Sequence, residues 1–139
     1  MSLNRDERIS VAYRLYLAVR KEITEYDIKN NMSYFARVLG QLIYNKFGKK
    51  IIGISESAKV SDANMITEDH YNNCQKVGEF LATSNTLSIE EFKVVIEESS
   101  KTIKVTKTEN SSLRKYQKNR PYGEGISAYS DAGINVEFY

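Results

Sequence analysis

The segment 101-KTIKVTKTENSSLRKYQKNR-120 contains the clearest change of pattern in the chain. In its first six residues, Ile103 and Val105 alternate with polar or charged residues, as in a half-buried strand. The residues that follow, roughly 108–118, predict a helix rich in basic side chains. We therefore expect a strand that leads almost directly into a basic helix.

The same segment is strongly basic. It carries seven basic residues against Glu109, a net charge of +6, whereas residues 79–100 carry five acidic residues against Lys93, a net charge of −4. Two explanations are open, because the blocks could attract each other on the folded surface or the basic one could follow a phosphate backbone. The candidate phosphate contacts are Lys104, Lys107, Arg114, Lys115, Lys118 and Arg120.

Helical patterns dominate the part of the chain before this segment. Residues 8–23 repeat apolar side chains near a 3.6-residue period, and a second stripe runs from Asn31 or Ser33 to Gly48. Thr67 predicts the start of a third helix, and Ser88 with Glu91 three residues later is typical of a capping box for a fourth. Between the second and third helices, KKIIGIS predicts a short strand, followed by a polar loop over 55–66.

After the basic helix, the sequence predicts a turn at RPYGEG, a short helix around 127–132 that ends near Gly133, and a last strand in INVEFY. The expected fold class is α+β: a mostly helical single domain over residues 1–139 with four or five helices. Its small sheet would use some of residues 50–54, 101–106 and 134–138. A length of 139 residues fits one domain with one core.

The composition favours a soluble globular protein. Hydrophobic residues make up 41% of the chain, and only eight residues are Gly or Pro, which argues against disorder. No run approaches the roughly 18 to 20 apolar residues of a membrane span, and MSLNRDERIS carries charges where a signal peptide would be apolar. With a single cysteine, the chain is expected to be cytoplasmic and not to associate with membranes.

The stretch 67-TEDH-70 contains the only histidine. It has a structural interpretation, in which the Thr67 hydroxyl caps a helix and the acidic residues Glu68 and Asp69 lie near the positive end of the helix dipole. His70 is then an ordinary residue of the first helical turn. A zinc site built on His70 and Cys74 would lack further histidine or cysteine ligands.

Three separated segments, TEDHY at 67–71, IKVTKTENSSLRKYQ at 103–117 and AYSDAGINV at 128–136, together resemble small phage-type proteins related to HNH homing endonucleases. The resemblance implies that His70 takes a proton from a water molecule. It also implies that Asp69 and Asn110 hold one Mg²⁺ or Mn²⁺ on the scissile phosphate.

The resemblance and the basic segment favour a nucleic-acid-associated protein of phage or mobile-element type, derived from an HNH-like nuclease and acting on DNA or RNA. Two alternatives remain open at this point. One is a protein-binding inhibitor or regulator module that uses its tyrosine-rich surface on a protein partner. The other is an active metal-dependent endonuclease.

Overall fold

The computed structural model describes residues 3–139 and shows an α+β fold with a four-stranded mixed sheet. The strands are β1 (Lys50–Ser55), β2 (Ile66–His70), β3 (Lys101–Thr106) and β4 (Val136–Phe138). The helices are α1 (Arg5–Glu22), α2 (Glu25–Asn30), α3 (Met32–Gln41), α4 (Glu56–Lys59), α5 (Cys74–Thr83), α6 (Ile89–Ser99), α7 (Lys107–Gln117) and α8 (Ala128–Asp131).

The sheet has the strand order β2-β3-β1-β4. The two central strands, β1 and β3, are parallel, and the outer strands β2 and β4 are each antiparallel to their neighbours. The chain therefore crosses from β1 to β3 through β2, α5 and α6. This order makes β2 an edge strand, with α7 following its partner β3 directly.

Two hydrophobic cores hold the elements together. The first lies among the helices, where Tyr16 of α1, Leu39 of α3 and Phe92 of α6 are fully buried. The second lies between the sheet and the α7–α8 region, where Ile103 and Val105 of β3 pack with Leu113 of α7. The apolar side chains that alternate along KTIKVT thus face the basic helix that follows.

Helices α3 and α5 pack in unusually close contact because glycine lies at the crossing. A Cβ atom added at Gly78 would lie 1.7 Å from the carbonyl oxygen of Ala36, and one at Gly40 would lie 2.2 Å from that of Cys74. Any larger residue at either position would force the two helices apart. The crossing holds the beginning of α5 close to the end of α3.

Several predicted elements are confirmed. The strands in KKIIGIS, KTIKVT and INVEFY are β1, β3 and β4, and the Ser88–Glu91 capping box begins α6. The prediction of four or five helices is wrong, because residues 3–139 contain eight. Two of the additional helices, α2 and α4, are short. The second predicted helix also ends earlier than expected, at Gln41, and turns carry the chain to Gly48, which has a φ of +88°.

The helix start predicted at Thr67 is wrong. Residues 66–70 form β2, paired antiparallel with β3, and the helix begins at Cys74. Its N-cap is Asn73, whose Oδ1 accepts a hydrogen bond of 2.9 Å from the backbone N–H of Lys76. Because TEDH lies in a strand, alternate side chains point to opposite faces of the sheet.

Candidate nucleic-acid interface

A polar cavity of about 380 Å³ opens beside edge strand β2, between the strand and helix α7. It collects residues from four separate parts of the chain. Its lining consists of Tyr44, Glu68, Asp69, His70, Asn73, Asn110, Arg114 and Gln117. The structure therefore brings the three residues of the HNH-like pattern, Asp69, His70 and Asn110, to one cavity.

Helical spacing explains how α7 reaches this cavity. Asn110, Arg114 and Gln117 are four and three residues apart, so they form one stripe along the helix. Leu113 next to them is fully buried and fixes the rotation of the helix against the sheet. The stripe consequently faces the edge of β2, whereas the opposite side of α7 is exposed to solvent.

Asp69 is nearly buried, with 7% of its surface exposed, because it faces the core on the α7–α8 side of the sheet. Its Oδ2 accepts a hydrogen bond of 2.8 Å from Gln117 Nε2 and another from the Tyr129 hydroxyl. Burial and the neighbouring Asp69 carboxylate raise the pKa of Tyr129, so this phenol keeps its proton and acts as the donor. The two donors compensate the cost of burying a carboxylate.

His70 lies against the ring of Tyr44, with 5.0 Å between the ring centroids. Burial, followed by the Lys49 ammonium group, lowers the pKa of His70 below its ordinary value of 6.5, so the imidazole is neutral at pH 7. Its Nε2 is buried and has no hydrogen-bond partner among the described residues. Thr102, its cross-strand neighbour, also has a buried Oγ1 with no hydrogen-bond partner among the described residues.

Glu68 forms an ion pair with Lys49, with 2.6 Å between Oε2 and Nζ.

No group of three or more His, Cys, Asp or Glu side chains that could hold a metal ion occurs within residues 3–139. The predicted metal ligands Asp69 and Asn110 therefore supply one carboxylate, with Oδ2 already bonded, and one amide. Mg²⁺ is commonly held by one or two carboxylates together with phosphate oxygens and water, so this pair could serve only with a bound phosphate.

The six predicted phosphate contacts occupy different environments. Lys107, Arg114 and Lys118 are exposed and spaced by seven and four residues, so they form one basic stripe beside the cavity. Lys115 places its ammonium group 5.0 Å from the centroid of the Tyr116 ring. Lys104 lies on β3, away from the stripe.

Arg120 is used within the fold. Its guanidinium donates hydrogen bonds to the Tyr116 carbonyl and the Ser127 hydroxyl and forms an ion pair with Asp131. These bonds tie the end of α7 to α8. Arg120 is therefore less free to bind an external phosphate than the basic stripe is.

The sequence did not predict the parts played by Tyr44, Gln117 and Tyr129. Gln117 could have been found from its position seven residues after Asn110, which places both on one helical face. Tyr44 and Tyr129 have no such signal, because they come from segments that only the folded chain brings to β2.

Comparisons with known protein-family models, curated proteins and solved structures found no match. No helix within residues 3–139 has the length and apolar character needed to cross a lipid bilayer.

Proposed function

We propose that the protein binds nucleic acid at the interface between β2 and α7. The observation that carries this proposal is the basic stripe of Lys107, Arg114 and Lys118 beside a polar cavity. Within residues 3–139, none of the three forms an ion pair with an acidic side chain. Their charges are thus available to phosphate groups, and Arg114 is the member that also lines the cavity.

A salt titration of binding tests this proposal. Three phosphate contacts correspond to a log–log slope of about −2.7 for duplex DNA and about −2.1 for a single strand. Affinity for duplex should therefore fall about 40-fold between roughly 50 mM and roughly 200 mM salt. The triple variant Lys107→Gln, Arg114→Gln, Lys118→Gln should lose most of both the affinity and the slope.

A matched control separates the stripe from the overall charge. Replacing Arg14, Lys21 and Lys29 by Gln also changes the net charge from +2 to −1, but these exposed residues lie on α1 and α2. This control should bind like the wild type. Equal weakening by the two triple variants, or no binding of DNA or RNA at low salt by the wild-type protein, would contradict the proposal.

A second candidate function is metal-dependent cleavage of the bound strand. It is favoured by the meeting of Asp69, His70 and Asn110 in one cavity, and by the neutral state of the imidazole, which suits a proton acceptor. In this proposal Asp69 and Asn110 would hold a metal ion, and Arg114 would bind the neighbouring backbone. The metal ion supplies charge stabilisation at the phosphate.

Plasmid nicking tests the second candidate. The protein should nick supercoiled DNA with Mg²⁺ or Mn²⁺, and a chelator should stop the reaction. His70→Ala should abolish nicking while binding persists, with circular dichroism as the check on folding. Cleavage that survives His70→Ala would exclude His70 as the proton acceptor, and absence of cleavage with both metals would leave binding as the function.

A further inference from the structure

A second cavity of about 380 Å³ lies across edge strand β2 from the first. Its lining consists of Lys49, Ala63, Ile66, Thr67, Glu68 and Lys104. Glu68 lines both cavities, so they are neighbours at strand β2. Both cavities are lined by residues of this edge strand.

The second cavity has an uncompensated positive charge. Lys104 is the register partner of Glu68 across the β2–β3 pair, so their side chains lie on the same face of the sheet. The Glu68 carboxylate nevertheless pairs with Lys49 at 2.6 Å. Lys104, half-buried, forms no ion pair with an acidic side chain within residues 3–139.

A lysine side chain that lines a cavity and has no counter-ion attracts an anion. Two lysines and one carboxylate around the same cavity leave one net positive charge for such an anion. Thr67, which also lines this cavity, belongs to an edge strand, whose outward backbone polar groups are not closed off by another strand. These features suit a phosphate group.

We infer that a single-stranded nucleic acid bound by the basic stripe of α7 continues around the edge of β2 into this second cavity, where Lys104 and Lys49 contact its phosphates. The inference rests on the proposed function and adds the class of ligand. Duplex DNA has a persistence length of about 150 base pairs, so it cannot bend around one strand of a sheet. A single strand is flexible enough to do so.

The test compares binding of labelled single strands and duplexes to the double variant Lys49→Gln, Lys104→Gln. For a DNA or RNA single strand of about 12 nucleotides, the salt slope should fall by about 0.7 if Lys104 alone contacts a phosphate and by about 1.4 if Lys49 also exchanges Glu68 for one. Affinity for a duplex of the same length should stay at the wild-type value. The control Lys21→Gln, Lys93→Gln removes the same charge, and it also breaks a surface ion pair, between Lys93 and Glu90.

The outcomes separate this inference from the proposed function. An unchanged single-strand slope in the double variant, with wild-type binding intact, would overturn the inference and leave the α7 interface standing. An equal loss of affinity for single strands and duplexes would overturn the inference that a single strand follows this path. If the wild-type protein binds no nucleic acid, the proposed function fails first.

Glu68→Gln gives a result of opposite sign. Removing the carboxylate releases Lys49 from its ion pair and takes one negative charge from the lining of each cavity, so single-strand affinity should increase. A purely structural role of the ion pair predicts weaker or unchanged binding instead. Chemical acylation of lysines provides a direct readout: a bound single strand should protect Lys49 and Lys104 but leave Lys21 as reactive as before.

Discussion

His70 is the only histidine of the chain, so the ionisation of this one residue can be measured directly. It packs on Tyr44, and its buried Nε2 has no partner among the described residues. Burial is the main reason why its pKa lies below 6.5, and Lys49 lowers it further, while Asp69 and Glu68 act in the opposite direction. Folding therefore favours the neutral imidazole.

The pH dependence of stability follows from this pKa. As the pH falls through 6.5, the unfolded imidazole takes up a proton, whereas the folded one does so only at lower pH. The unfolded state then binds more protons, so stability falls between about pH 7 and the folded pKa. Urea unfolding at about pH 7.5 and about pH 5.5 should show a lower midpoint at the acidic value.

His70→Gln serves as the control for this prediction, because it removes the one side chain with an ordinary pKa in that range. The acid-induced loss of stability should shrink in the variant. A folded-state pKa above 6.5, measured from the single imidazole signal in an NMR titration, would contradict the account.

Among the helices and strands, the sequence predicts those whose pattern lies within the element itself. The alternation in KTIKVT predicts β3, and the capping box at Ser88 predicts α6. Helix α2 has no buried residue and hence no apolar periodicity to reveal it. Strand β2 was missed for a different reason: TEDH has the composition of a helix start, and only its pairing with a strand more than 30 residues away decides otherwise.

Substitutions at Asn73 and at Thr67 distinguish the helix cap in the structure from the one that the sequence predicted. Asn73→Ala should lower the free energy of unfolding by about 1 kcal/mol, because it leaves an N–H at the start of α5 without its acceptor. Asn73→Ser keeps a capping oxygen and should retain most of the stability.

Thr67→Val should be close to neutral, because valine preserves the branched shape that suits strand β2. Denaturant unfolding measures all three variants. A loss of about 1 kcal/mol in Thr67→Val together with an unchanged midpoint in Asn73→Ala would return the helix start to Thr67.

In the whole molecule, folding distributes the basic residues of segment 101–120 over separate places on the structure. The seven basic residues of 101–120 do not act as one strip: Arg120 ties α7 to α8, Lys104 lies in the second cavity, and Lys101 pairs with Glu98. The basic stripe on α7 is what remains for a ligand. Asp69, His70, Asn110 and Arg114, which the sequence singled out, line the first cavity, and Lys104 lines the second, a division that depends on the pairing of β2 with β3.

We propose nucleic-acid binding at the β2–α7 interface. The most direct measurement is an NMR titration of the ¹⁵N-labelled protein with a DNA or RNA single strand, which follows every backbone amide at once. We expect the largest shifts in β2, in α7 and around Lys49 and Lys104, and we expect them to diminish as salt is added. Shifts concentrated on α1 and α2, or no shifts at low salt, would contradict it.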